Sequence, residues 1–274
     1  MKRLDWKELL EAVRALSPSK RAVVIEALQN GLTGDTPEGL HVTARTRKEL
    51  GRLVRERDPD VVAWMRDFEP AAVFYDIGAN CGSLTLTAAA LHRPDIRIVA
   101  IEPSFASFES LVRNLSLNGL LACTIPLQVA LLDRTGLEPM NYRSVAAGTS
   151  LHGVGEAVDY MGEPFTPIEV QMVPTYRLDD LIEMQKLPVP TRMKIDVDGF
   201  EASVLRGATC TLAAGTIRDL LIEVVDHDGA GSRLAEITAF LNRHGYDMAT
   251  VLQHSAGAGT TPSIVADYLF RHRE

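Results

Sequence analysis

Val73-Phe-Tyr-Asp76-Ile-Gly78-Ala79-Asn80-Cys-Gly82 is the stretch on which the fold of this chain turns. A short apolar run carries an Asp at its carboxyl end and passes at once into a turn with two glycines. Open α/β sheets deliver ligand-binding groups in this way, at the carboxyl edge of their strands. Ile98-Val-Ala-Ile101 repeats the device and ends in Glu102-Pro103. Two acids around a glycine turn suit a ligand with amine and ribose groups. Asp76 can hold an ammonium, and Asn80 offers a donor and an acceptor. Gly78 and Gly82 lack Cβ atoms and let a ligand lie against the backbone, with Ala79 between them also assigned to the cofactor site. Glu102 can accept from ribose hydroxyls, with Pro103 starting the next helix. The dinucleotide fingerprint G-x-G-x-x-G is not matched; the spacing is G-x-x-x-G, and Asp76 would repel a pyrophosphate. These features point to S-adenosyl-L-methionine as the ligand.

Outward from this segment the chain alternates strand, turn and helix. Strands are expected over 73–76, 97–101, 125–130, 169–172, 192–196, 219–224, 246–252 and 265–271, and helices over 82–91, 104–118, 178–184, 200–213 and 232–244. That rhythm implies a mostly parallel sheet with helices on both faces, an α/β Rossmann-like architecture. Gly257-Ala-Gly-Thr260 between the last two strands predicts an antiparallel hairpin. Residues 135–168 hold five Gly and three Pro and are expected to form an irregular, substrate-side loop. Residues 1–70 are expected to be a helical extension, ahead of a domain covering 71–274. It would cap the sheet, form a subunit contact or help close over a substrate.

Lys194-Ile-Asp196-Val-Asp198-Gly-Phe-Glu201 is the second focus. Alternation puts Lys194, Asp196 and Asp198 on one face. A lysine inside a central strand needs a partner, so Lys194 is expected to meet a strand-end carboxylate. The apolar strand Leu220–Ile222 then delivers Glu223 beside Asp196, with His227 just beyond as a candidate base. Asp133, after the third strand, is placed to accept the adenine amine. Asp196, Asp198, Glu223 and His227 are thus the candidate catalytic groups, Asp196 also touching the cofactor.

Composition narrows the classes. The chain has 274 residues, 46% hydrophobic and 23% charged, with a formal net charge of −8. That balance gives no general attraction to nucleic acid. No apolar run suits a membrane span and the amino terminus has no signal-like segment, so a cytoplasmic protein is expected. Cys81, Cys123 and Cys210 are widely spaced and read as buried, inert thiols.

Taken together, these residues resemble the FkbM-type methyltransferase family. The similarity runs from about Phe74 to Arg271. It includes Asp76-Ile-Gly-Ala-Asn-Cys-Gly, Ile101-Glu-Pro, Asn114-Leu-Ser-Leu-Asn-Gly and Ala130-Leu-Leu-Asp-Arg-Thr-Gly. Further on it includes Lys194-Ile-Asp-Val-Asp-Gly-Phe-Glu, Val204-Leu-Arg-Gly-Ala, Leu221-Ile-Glu-Val and Asp267-Tyr-Leu-Phe. Ile101 and Asp198 stand where the family often has Phe and Glu. The resemblance implies a seven-stranded sheet with its last hairpin antiparallel, and methyl transfer to a hydroxyl of a sugar or natural product. The expected partner is a small-molecule hydroxyl acceptor, without nucleic acid or membrane, and self-association stays open. A variant places Mg²⁺ between Asp196 and Glu223. The rival readings are a cofactor-binding protein without catalysis and a methyltransferase acting on a macromolecule.

Overall fold

A computed structural model describes residues 5–29, 31–150, 152–159, 162–226, 232–256 and 264–273. The chain opens with α1 (Trp6–Arg14) and α2 (Pro18–Gln29), then a hairpin of β1 (Leu32–Asp35) and β2 (His41–Ala44). α3 (Arg47–Val54) and α4 (Pro59–Arg66) follow. Capping boxes start α1 and α3: Asp5 with Glu8, and Thr46 with Glu49. The hairpin departs from the all-helical expectation for 1–70. With only four residues in each strand and Gly34 in the first, it is too short to show a clear alternation.

The main body continues through β3 (Val73–Ile77), α5 (Ser83–His92), β4 (Arg97–Ile101), α6 (Phe105–Leu117) and β5 (Thr124–Leu127). Next come β6 (Ala130–Leu131), β7 (Gly136–Tyr142), β8 (Gly153–Val154) and β9 (Glu169–Tyr176). After α7 (Leu178–Gln185) the chain returns to the sheet as β10 (Arg192–Ile195). α8 (Glu201–Gly207), α9 (Thr209–Ala213), β11 (Asp219–Asp226), α10 (Ser232–Arg243), β12 (Tyr246–Ala256) and β13 (Ile264–His272) complete it.

Seven strands form one sheet in the order β12-β13-β11-β10-β3-β4-β5. β5, β4, β3, β10 and β11 are parallel, while β13 runs antiparallel to β11 and to β12. The expected terminal hairpin is therefore present, although its Gly257–Thr260 connection lies outside the described residues. Alternation along each strand feeds two cores. Phe74, Ile98 and Ala100 pack with Trp64, Leu86 and Leu111 on one face. Tyr75, Ile77, Val99, Met193 and Ile195 pack with Val204, Leu212 and Ile237 on the other. Leu40, Val42, Leu53 and Phe68 join the first core, so residues before 70 share it with the sheet.

Three expectations need correction. The strand 125–130 stops at Leu127, and the strand 169–172 is not in the main sheet. It runs to Tyr176 and belongs to a second sheet of order β6-β9-β7-β8, which also takes up much of the supposedly irregular 135–168. Pro139 and Pro174 sit inside its strands and mask them, because proline usually marks a strand's end or edge. The helix 200–213 breaks at Ala208, where the Asp179 carboxylate accepts from the Cys210 and Thr211 N–H groups and starts α9 afresh. Cys210 is also exposed, whereas Cys81 and Cys123 are buried.

Candidate active site

The strand order reverses between the parallel neighbours β3 and β10, and a ligand crevice is expected at that switch point. A cavity of about 340 Å³ opens there. Asp76, Gly78, Ala79, Asn80, Glu102, Pro103, Asp196, Asp198 and Glu223, all candidates from the sequence, line it. Ile101, Ala130, Leu131 and Leu132 supply an apolar wall.

The turn after β3 is bonded into itself. The N–H groups of Gly78 and Ala79 both donate to the Ile101 carbonyl, at 2.9 and 3.0 Å. Asn80 N–H donates to Glu102 Oε2 at 2.8 Å, Cys81 N–H to Asn80 Oδ1, and Gly82 N–H to the Ala79 carbonyl. With these five donors taken, the turn lacks the outward N–H cradle that a pyrophosphate requires. Both glycines are required by packing, and Gly78 also lines the cavity. A Cβ at Gly78 would stand 1.8 Å from the Asp196 carbonyl oxygen, and one at Gly82 2.4 Å from Leu111 Cδ1. Gly82 does not reach the cavity. Asn80 is likewise engaged: its Nδ2 donates to the Thr149 carbonyl at 3.0 Å, and Ser107 Oγ donates to its Oδ1.

The carboxylates differ in setting. Glu102 accepts from two backbone donors, Asn80 N–H and Ser104 N–H, each at 2.8 Å. Burial nevertheless pushes its acid up to about 7. Asp76 is 2% exposed and accepts from the Thr85 hydroxyl; burial raises it to about 6 against that bond and the Lys194 charge. Glu223 is pushed to about 9, first by the neighbouring Asp196 charge and then by burial. Both causes favour its protonated form.

Lys194 finds the carboxylate partner expected of it. Its ammonium donates to Asp267 Oδ1 at 2.8 Å and lies 3.7 Å from Asp196 Oδ2. Burial opposes the charge, but Asp267, Asp196 and Glu223 outweigh it and hold the pKa above its ordinary value. Asp267 comes from β13, whose antiparallel register sets it opposite Glu223. With this ammonium already at Asp196, and no group of three His, Cys, Asp or Glu placed to share an ion among the described residues, the donor set does not fit Mg²⁺.

Asp133 does not stand where the sequence placed it. Its carboxylate is turned to Arg134 and Arg206, 3.3 Å from each, and does not line the cavity. The guanidiniums draw it out to the surface. His227 lies outside the described residues. Sequence reasoning assigned no role to Arg52, Ser83, Thr149, Ser150 and Phe200, which also line the cavity. His152, from the 135–168 insert, lines it too. There burial, then Lys48 and Arg143, lower its pKa to about 4, so its ring is neutral. The insert thus roofs the same cavity whose floor is the sheet.

A seven-stranded sheet of this order, with acids at the tips of adjacent strands, defines a Rossmann-like methyltransferase fold. The chain belongs to the methyltransferase FkbM domain family, whose model matches residues 76–248. Among curated relatives, the hexuronic acid methyltransferase AglP of Haloferax volcanii is 26% identical over 187 residues, covering 66% of this chain and 69% of that protein. The solved FkbM methyltransferase of Methylobacillus flagellatus superposes with a TM-score of 0.50 at 14% identity. The match covers 91% of this chain and 59% of that one. No helix among the described residues is long and apolar enough to cross a membrane.

Proposed function

We propose that the protein transfers the methyl group of S-adenosylmethionine to a hydroxyl of a sugar or related small molecule. One observation carries the cofactor assignment: five carboxylates, Asp76, Glu102, Asp196, Asp198 and Glu223, line a cavity whose turn keeps its own N–H groups. That donor set suits a ligand bearing cationic and hydroxyl groups, and it disfavours a phosphate. A sugar-class acceptor is supported by the relative whose name specifies hexuronic acid, a molecule with both hydroxyl and carboxyl oxygens.

When bound, the cofactor supplies a methyl group on a good leaving group. The chain then has to align an acceptor oxygen and remove its proton. In this reading Asp76 holds the ammonium and Glu102, fixed by its two backbone donors, accepts from the ribose. In the same reading Asp198 takes the acceptor's proton. Asp198 sits in the left-handed region with φ 51°, lines the cavity, and its charge is felt at both Glu102 and Glu223. The test is incubation of a metabolite extract with purified protein and methyl-labelled cofactor. Label entering a hydroxylated small molecule is the expected outcome, and labelled protein or RNA alone would overturn the acceptor assignment.

Glu102→Gln should weaken cofactor binding by about tenfold or more, since hydrogen bonds to charged groups contribute roughly 1.5–3 kcal/mol. Calorimetric titration measures it, and an unchanged Kd would remove Glu102 from the site. The cofactor's affinity should also rise with pH. Protons on Asp76 and Glu102, with pKa values near 6 and 7, oppose a cation and leave as it binds. Titrations at pH 7 in phosphate and in Tris should therefore differ in heat by the ionisation of the released protons. Equal heats would contradict proton release.

A further inference from the structure

We propose that Arg52, carried to the cavity by α3, is the carboxylate-binding residue of this site. The inference deepens the reading above and rests on it. Among the described lining residues Arg52 alone bears a fixed positive charge. Other arginines around the site have acids of their own: Arg113 pairs with Glu49, Arg134 with Glu138, and Arg143 with Asp159. Arg52 is held instead by neutral oxygens. Its Nε donates to the Gly148 carbonyl at 2.5 Å and its Nη2 to Ser150 Oγ at 3.2 Å. Those two bonds fix the guanidinium plane without cancelling its charge, which leaves a preorganised fork of the kind that recognises carboxylates.

Its position narrows the source. The Arg52 charge is felt at Cys81, inside the turn that follows Asp76, and Thr149 beside its loop partners accepts from Asn80. The guanidinium therefore stands over the same turn whose floor is the Asp76 carboxylate. An acid below and a guanidinium above suit the two charged ends of an amino acid, such as the one the cofactor carries. Lys48 and Arg143 add positive potential at His152 on the same roof, so a carboxylate on the acceptor is the other source of this chemistry.

The test compares wild type with R52Q by calorimetry in two arms. The first measures S-adenosylmethionine against decarboxylated S-adenosylmethionine, which keeps the ammonium and sulfonium. The second, on protein loaded with S-adenosylhomocysteine, measures methyl glucuronoside against methyl glucoside. Wild type should prefer the carboxylate-bearing member of one pair by about tenfold or more, and R52Q should bring that ratio close to one. The arm in which the ratio collapses identifies the source. Ratios unchanged in both arms, or equal weakening of both members of each pair, would reduce Arg52 to a pin for residues 148–150 and overturn the inference. Wild type binding neither adenosyl compound would instead defeat the methyltransferase site reading itself. If R52Q does not fold, R52K is measured in its place; it keeps the charge but not the fork, and an intermediate ratio is expected.

Discussion

Asp198→Asn is expected to lower kcat by about 10²–10⁴-fold, the usual contribution of a general base, while S-adenosylmethionine still binds. The expectation follows by comparing the acids that face the cavity. Glu223 has its proton pushed on by Asp196 and by burial, and Asp196 faces the Lys194 ammonium at 3.7 Å. Glu102 is committed to two backbone donors and Asp76 to Thr85. Asp198 lines the same cavity, and its charge is felt at both Glu102 and Glu223. Single-turnover methyl transfer measured beside cofactor Kd separates the two effects. Glu223→Gln is the matched control: it replaces a protonated acid by a near isostere and should leave kcat at neutral pH within a small factor of wild type. If Asp198→Asn turns over normally, proton removal passes to His227 or to solvent.

Gly78→Ala should destabilise the fold by several kcal/mol, among the largest effects of any single methyl in this chain. The added Cβ would meet the Asp196 carbonyl oxygen at 1.8 Å and its carbon at 2.8 Å, both backbone atoms of the adjacent strand's exit. Relief would require β3 and β10 to part, losing the Asp196 N–H bond to the Ile77 carbonyl at 3.0 Å. The residue also has φ +83°, which costs an L-residue roughly 1–2 kcal/mol by itself. Gly119 isolates that second cost. It has φ +67° and nothing within 4 Å of the same added atom. Chemical denaturation of both variants should show a small loss for Gly119→Ala and a much larger one for Gly78→Ala. Equal losses would mean that the close approach to Asp196 relaxes easily.

The parallel part of the sheet and its row of acids could be read from the chain because both depend on local signals. Asp76, Glu102, Asp196 and Glu223 each end an apolar run, and short crossovers make such runs neighbours in space. What failed depended on distant partners. Asp267 sits at the start of a strand, and only the antiparallel register brings it against Lys194. Asp133 has the look of a ligand residue until Arg206, some seventy positions later, claims its carboxylate. Arg52 lies in a helix with no motif around it, and its interest arises only through Gly148 and Ser150. The second sheet was hidden by its prolines. The glycine turn could be located from the chain, but not the packing that requires its two glycines: they make room for Asp196 and Leu111, and Gly78 lines the cavity as well.

The roof over the cavity hangs from two fasteners, Arg52 on Gly148 and Ser150, and Asn80 on the Thr149 carbonyl. One comes from α3 and the other from the turn itself, so a chimera that exchanges residues 135–168 between relatives inherits half of each joint. Such a graft can carry acceptor preference with it only when the donor's counterparts of Arg52 and Asn80 travel too.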